Sequence, residues 1–588
     1  MPAPEDFARI RGDSAPAFSR DGTTLYHLRG AGLTQIWATE LNTLAARQLT
    51  FHDEKVAFLR RSPIDDRLIY GIDRGGDERQ QLLLIDPTQT RPRPTALTDD
   101  PSVMHDFGGW SPDGARIAFA ANSRDQAHLD VFVQDIASGE RHCVHEGRHI
   151  VFVAGWSADG NRLAVIADRG YADMSIKIID LATGLTRPVP LGPANWQSLR
   201  WSGDGRTLLG LTDHDSDHLR LCRLDPDSGA VTMVCEAPGR DIESWAISSD
   251  MKRLATIEND RGWTSLRVGP TEGERTIAET AAGVAAEPTF SPDGSRLAFA
   301  ASSPTEPSRL WVLGASEPRP RPVTEAGLEL DLVGFELVTW QSFDGRHIPG
   351  WLAMPRAPAP PGGYPAIVWV HGGPVSQARP NFRPDMQMLL AQGLAVLMPN
   401  VRGSSGYGRA WCESDDLEKR LDSVADLAAG GRWLAAHPAI NRQRIGIMGQ
   451  SYGGFMVLSA ITEYPELWKA AVDYYGIADF TTLLAATGPW RRSHRAAEYG
   501  DPERDAALFA RISPIRQVDR VTAPLLVLHG TRDPRVPIGE SEQFVTALRE
   551  RQKPVEYQVF DYAGHGFVRP EDRQRAYAAV ADFFGKHL

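Results

Sequence analysis

Along the first half of the chain, short apolar runs alternate with tight polar turns, and one order of residues keeps returning. An apolar or aromatic residue is followed by Ser-x-Asp-Gly, then by a basic or polar residue, then by a new apolar run. The unit appears at Phe18-Ser19-Arg20-Asp21-Gly22, Trp110-Ser111-Pro112-Asp113-Gly114, Trp156-Ser157-Ala158-Asp159-Gly160, Trp201-Ser202-Gly203-Asp204-Gly205 and Phe290-Ser291-Pro292-Asp293-Gly294. Degenerate copies sit at Ser62-Pro63-Ile64-Asp65 and Ser248-Ser249-Asp250. The serines at 19, 62, 111, 157, 202, 248 and 291 are spaced by 43 to 49 residues, the length of one four-stranded propeller blade. Asp and Gly suit a hairpin turn, and runs such as Arg116-Ile117-Ala118-Phe119-Ala120 supply the strands. The pattern predicts a seven-bladed β-propeller that acts as scaffold rather than as the seat of chemistry.

Near residue 315 the rhythm ends in a proline-dense stretch, Glu317-Pro318-Arg319-Pro320-Arg321-Pro322, suited to a linker or to closure of the last blade. Beyond it the period changes. Ala366–Val370, Ala395–Met398, Ile445–Met448 and Leu525–Leu528 are short, apolar and unalternating, as strands buried on both faces of a parallel sheet are. Stretches of helical spacing such as Ser423 to Ala436 lie between them, and that alternation specifies a doubly wound α/β domain. The chain therefore reads as multidomain: a β-propeller over 1–325 with a short N-terminal lead-in, then an α/β-hydrolase domain over 326–588. Its 588 residues are too many for one hydrophobic core.

Composition narrows the function. With 42% hydrophobic and 23% charged residues this is an ordinary globular chain. No run is long enough to cross a bilayer, and the N-terminus lacks the features of a secretory signal. A cytoplasmic protein without membrane partners is expected. The net charge of −12 argues against nucleic acid. Among four cysteines, Cys222 and Cys235 flank a turn and are a candidate cross-strand pair, with buried free thiols as the ordinary alternative. No spacing suggests a zinc site, and the calcium-like run at Asp213–His218 lacks the loop's glycine and bidentate Glu, so neither metal nor cofactor is expected.

The sharpest motif is Gly449-Gln450-Ser451-Tyr452-Gly453-Gly454, between the strand at Ile445 and a helical run. It is a nucleophile elbow in its required strand-turn-helix context, with Ser451 as nucleophile. A serine hydroxyl needs a base, and the base needs an orienting carboxylate, in the order Ser, Asp, His. Asp533 follows the strand at Leu525, and His565 lies in the glycine-flanked loop Ala563-Gly564-His565-Gly566. Asp561 competes as acid, and His529, His494 and His371 compete as base, with less suitable positions. The oxyanion needs aimed donors. The N–H of Tyr452 is one, and either Gly372 or Gly373, in His371-Gly372-Gly373-Pro374, is the other.

A seven-fold repeat followed by HGGP, Asn400-Val401-Arg402-Gly403-Ser404-Ser405-Gly406-Tyr407-Gly408, GQSYGG, GxxD and GHGF resembles the prolyl oligopeptidase family of serine peptidases, in its acylaminoacyl-peptidase-like branch. The resemblance spans nearly the whole chain. It implies an oligopeptidase or exopeptidase acting on short peptides, with a triad of Ser451, Asp533 and His565. Some relatives place a tyrosine hydroxyl near the oxyanion where this chain has His371, so that role is not carried over. Trp490-Arg491-Arg492-Ser493-His494-Arg495 lies where relatives build substrate pockets. Arg491, Arg492 and Arg495, with Tyr475, are substrate-binding candidates. The guanidinium forks would suit a peptide's C-terminal carboxylate and make the enzyme a carboxypeptidase. They would equally suit an acyl group, or ion pairs with Glu498, Asp501, Glu503 and Asp505. The stretch 485–500 is also a candidate surface for a homo-oligomer. An esterase would use the same triad, and a non-catalytic binding scaffold would need none.

Overall fold

The computed structural model describes residues 2–278, 283–315, 317, 319–325 and 330–588. The expected boundary at 325/326 abuts residues 326–329, which lie outside the described residues, as does Pro318 of the proline-dense stretch.

Seven four-stranded antiparallel sheets are made from consecutive strands of the first half. The first blade comprises Gly12–Phe18, Thr24–Gly30, Gln35–Glu40 and Ala46–Gln48, and the seventh comprises Val284–Phe290, Arg296–Ser303, Glu306–Gly314 and Arg321–Pro322. The repeat motif forms the turn joining the first two strands of a blade. Ser111, Ser157, Ser202 and Ser291 each donate from Oγ to the Asp two residues on, at 2.5 Å. The turn glycines 22, 114, 160, 205 and 294 take φ of +64° to +71°, a region that glycine enters without strain.

The basic residue of the repeat joins one blade to the next. Arg162 donates to Gly205 O at 2.7 Å and lies 4.7 Å above the Trp201 ring, and Arg253 donates to Gly294 O at 2.7 Å above Phe290. Arg296 of the seventh blade lies 5.7 Å from the Phe18 ring of the first. Ser308 Oγ donates to Asp13 O at 2.6 Å across the same seam. Among the described residues no strand is shared between first and last blades, and the ring closes by such contacts together with an apolar cluster that packs Phe18, Leu25 and Leu41 against Ala298, Leu310 and Val312. The cross-strand disulfide does not form. Cys235 stands opposite Leu221 and Cys222 opposite Met233, and both are buried free thiols.

The second half folds around one eight-stranded sheet: β1 (Glu336–Gln341), β2 (His347–Ala353), β3 (Tyr364–Val370), β4 (Ala395–Pro399), β5 (Ile440–Gln450), β6 (Ala470–Tyr474), β7 (Leu525–Gly530) and β8 (Val555–Phe560). Their spatial order is β1-β2-β4-β3-β5-β6-β7-β8. β1 and β2 run antiparallel, as do β2 and β4, and every later pairing is parallel. Apolar clusters cover both faces, one around Phe455, Ile461 and Phe480, the other around Met386, Leu389 and Phe584, which is why these strands read as continuous apolar runs. Parallel strands place their carboxyl ends along one edge, and the loops that follow β3, β5, β7 and β8 therefore gather there.

The lead-in does not serve the propeller alone. Its short helix, Pro4–Ala8, buries Phe7 at 2% exposure in the second catalytic cluster, and Arg573 of the C-terminal helix Pro570–His587 donates to Ala8 O at 3.2 Å. Phe7→Ala should cost about 3–5 kcal/mol, the usual range for a buried aromatic truncation. Calorimetry is expected to show a lower Tm for the catalytic domain with the propeller transition in place. An unchanged scan would contradict this docking.

Candidate active site

β5 ends at Gln450, and the helix Tyr452–Glu463 begins two residues later. Ser451 alone makes the turn, at φ +59° and ψ −119°. A non-glycine residue is rarely held there, and such strain is characteristic of functional turns. Its flanking glycines are required by space: a Cβ on Gly449 would lie 2.4 Å from Gly453 O, and one on Gly453 would lie 2.3 Å from Val370 O. The elbow is tied to the sheet by Ser451 N, which donates to Tyr474 O at 2.9 Å.

Tyr452 opens the helix, so its N–H is among those left without an intrahelical acceptor. Its side chain is buried, donating from the hydroxyl to Asp415 Oδ2 at 2.8 Å and accepting from Arg420 Nη1 at 3.0 Å. Gly372 brings backbone against the elbow, since a Cβ there would meet Gln450 O at 3.0 Å and Ser451 Cβ at 3.5 Å. Gly373 follows it at φ +137°.

Asp533, in the loop after β7, is 7% exposed. Its Oδ1 accepts the N–H groups of Arg535 (2.8 Å) and Val536 (3.0 Å), and its Oδ2 lies 2.6 Å from His565 Nδ1. His565 follows β8 and lies against the Tyr475 ring at 4.6 Å between centroids. The competing histidines have other nearest partners, although His529 Nε2 also lies 3.6 Å from Asp533 Oδ2. His529 Nε2 donates to Val536 O at 2.8 Å, His371 is buried on Ser404 Oγ at 2.9 Å, and His494 faces Asp168 of the propeller at 3.6 Å.

The prolyl oligopeptidase family (Peptidase_S9) matches residues 380–588, and the TolB beta propeller domain (PD40) matches 108–316. Dipeptidyl aminopeptidase BIII of Pseudoxanthomonas mexicana is 28% identical over 88% of this chain and 78% of its own. The acylamino-acid-releasing enzyme of Homo sapiens is 26% identical over 50% of this chain and 41% of its own. A solved puromycin hydrolase shares the fold, at a TM-score of 0.87 and 20% identity over 99% of this chain and 96% of that one. Residues 380–588 are a prolyl oligopeptidase family domain, and the chain is a serine peptidase.

In this peptidase the propeller reaches the catalytic edge. Its loop between Leu68–Ile72 and Gln81–Ile85 presses Gly76 against Gly564, one residue from His565. Tyr562 donates from its hydroxyl to Glu54 Oε1 at 2.8 Å. Glu78, held at φ +62°, accepts from Arg491 Nε at 3.1 Å and also from Arg535. Sequence reasoning missed Glu54 and Glu78; the signal available was the Gly75-Gly76 pair in a blade whose repeat is degenerate.

The arginine candidates separate. Arg491 and Arg495 line a cavity of about 320 Å³ with Glu78, Phe152, Trp490 and Arg535, whereas Arg492 is exposed and donates to Ala485 O. Of the expected carboxylate partners only Glu498 is used, by Arg495 at 3.2 Å. Tyr475 is buried, its hydroxyl on Gln450 Oε1 at 3.2 Å, so it packs against His565 rather than opening onto a pocket. The stretch 485–500 is partly spent on the propeller, because Trp490 is buried in a cluster with Val151 and Val153.

Burial would raise Asp533, but His565 and His529 outweigh it and hold the carboxyl far below its usual range. Burial pulls His565 below the ordinary imidazole value, against the pull of Asp533. A histidine base must be neutral, so with His565 in that role kcat/KM should rise with pH through an apparent pKa below about 6.5 and stay high in mild alkali. Glu78 favours the imidazolium, so Glu78→Gln is expected to move this limb to lower pH. A limb that stays in place would remove Glu78 from the field felt by the base.

Proposed function

We propose that this peptidase hydrolyses short peptides through an acyl-enzyme on Ser451, in the manner of acylaminoacyl peptidases. His565 takes the proton of Ser451 Oγ and returns it to the leaving amine, while Asp533 fixes the ring so that Nε2 is free to do so. The Tyr452 N–H and the Gly372–Gly373 backbone receive the oxyanion. The observation that carries this reading is the 2.6 Å contact between Asp533 and His565 at the edge of the sheet where Ser451 makes its strained turn.

Release from the N-terminal end is favoured by the printed activities of the relatives, a dipeptidyl aminopeptidase and an acylamino-acid-releasing enzyme. It is favoured too by Arg491 and Arg495 already holding Glu78 and Glu498, which a C-terminal carboxylate would have to displace. The carboxypeptidase reading keeps one support: Arg495 Nη1 reaches Gly373 O at 3.5 Å, beside the oxyanion loop. An esterase would not need a propeller pressed over the site, and a chamber of this kind excludes folded proteins. A cytoplasmic setting is part of the same proposal.

Ser451→Ala should lower turnover by about six orders of magnitude if the three side chains act as a unit. Products from one short peptide, with ends free, N-acetylated or C-amidated, are then mapped by mass spectrometry. Release of the acetylated first residue from an amidated peptide is expected. Loss of cleavage on amidation alone would instead establish a carboxypeptidase.

A further inference from the structure

Neighbouring blades meet through their first strands, which stand nearest the ring axis. Trp110 Nε1 of the third blade donates to Arg60 O of the second at 3.2 Å, and Trp156 Nε1 of the fourth donates to Gly109 O of the third at 3.1 Å. Ala15 N of the first blade donates to Glu287 Oε2 of the seventh at 2.6 Å. These strands line the central channel of the propeller. Two residues before each repeat serine, all seven present one position in the same register with the second strand of their blade. Five blades fill it with a small residue, Ala17, Gly109, Gly155, Ala246 and Thr289. The second blade, in Val56–Arg61, and the fifth, in Trp196–Trp201, fill it with Arg60 and Arg200.

Both arginines are exposed, although the residues before them, Leu59 and Leu199, are buried. Their side chains therefore face the channel. Among the described residues neither guanidinium forms an ion pair. Arg60 Nη1 donates to the adjacent Leu59 O at 2.9 Å, and Arg200 lies 5.4 Å from the Trp245 ring. Enclosure within the ring pulls the Arg200 guanidinium below its usual value, and Arg60, three blades away, adds to this across the channel. Enclosure also pulls Arg60 down, against the carboxylates of Glu287 and Asp106. Glu287 is taken by Ala15 N, and Asp106 lines the cavity of about 320 Å³ at the catalytic end. The serine turns close the arginine end of the propeller, whereas contacts with the catalytic domain come from the other end, through Glu54, Gly76, Glu78 and Asp217. Arg60 and Arg200 thus stand at the outer mouth of the channel.

Like charges held in one enclosed space repel until an anion lies between them, and a mouth lined by one sign of charge concentrates the opposite sign. We propose that Arg60 and Arg200 form an anion site at the outer mouth of the propeller, which takes a carboxylate or a phosphate between their two guanidinium forks. The planar fork matches either group, and the five small residues at the same level leave room for it. The anion is a carboxylate of a peptide entering through the ring, at its C-terminus or on a side chain away from the cleaved bond, or it is a free phosphate ion. The first source rests on the reading of Ser451 as the nucleophile of a peptidase, and the second does not.

Two measurements on the full chain test it, in the wild type, Arg60→Gln, Arg200→Gln and the double variant. Neither side chain touches the catalytic edge, so cleavage of a neutral peptide, N-acetylated and C-amidated, is expected to be unchanged throughout, which also shows that the variants fold. In the first, inorganic phosphate is titrated by calorimetry. Binding to the wild type, weakened about tenfold in each single variant and absent from the double, is expected for loss of charged hydrogen bonds. In the second, kcat/KM at low salt is compared for the neutral peptide, the same peptide with a free C-terminal carboxylate, and one with Glu for Gln away from the cleaved bond. A preference for the charged peptides that falls about tenfold in each single variant assigns the peptide as source. Phosphate binding lost in the variants, with no such preference, assigns the free ion. Absence of both phosphate binding and preference in the wild type overturns the proposal, as does a double variant that retains whichever of the two the wild type shows. Failure of the wild type to cleave any of the peptides would count against the peptidase reading of Ser451, and the phosphate titration would then decide the site.

Discussion

A serine hydroxyl attacks at neutral pH only if a neutral imidazole waits beside it, and in the proposed triad that condition depends on one buried contact, Asp533 to His565 at 2.6 Å. Burying a carboxylate is expensive unless its lone pairs are filled. Asp533 fills them with the backbone N–H groups of Arg535 and Val536 and with the imidazole itself. His529 fixes the same loop from below, joining Val536 O to Ser541 Oγ on the next helix. The contact is therefore only as secure as the two loops that follow β7 and β8.

Those loops are held partly by the other domain. Glu54 takes the Tyr562 hydroxyl, Gly76 meets Gly564, and Glu78 ties Arg535 to Arg491. The propeller is thus a structural part of the catalytic edge as well as its cover. Its blades are joined by the repeat arginines Arg67, Arg116, Arg162 and Arg253, each of which donates into the turn of the following blade. Among the described residues the ring closes without a shared strand, so the seam between the first and seventh blades depends on Arg296, Ser308 and the apolar cluster of Phe18, Leu25 and Leu41 with Ala298, Leu310 and Val312.

Local chemistry was legible in the sequence and distant charge pairing was not. Ser-x-Asp-Gly reads as a blade turn because the whole device, a serine hydroxyl on an aspartate and a glycine at positive φ, lies within four residues. The strained turn at Ser451 and the contact of Asp533 with His565 were legible because each of these residues lies in the turn or loop that follows a strand. Glu78 reaches Arg491 across more than four hundred residues, and no periodicity marks such a pair. The arginine cluster was read against the acids nearest in sequence, and only Glu498, one helical turn from Arg495, proved to be a partner. Phe7 escaped for a similar reason, since five helical residues at a terminus carry no pattern that points to a core on the far domain.

The most direct test of this account is the site and pH dependence of labelling by a fluorophosphonate, which reacts with an activated serine whatever the preferred substrate. The account predicts a single adduct on Ser451, formed at neutral pH and lost in His565→Ala. An adduct on another serine, or undiminished labelling of Ser451 without His565, would contradict it.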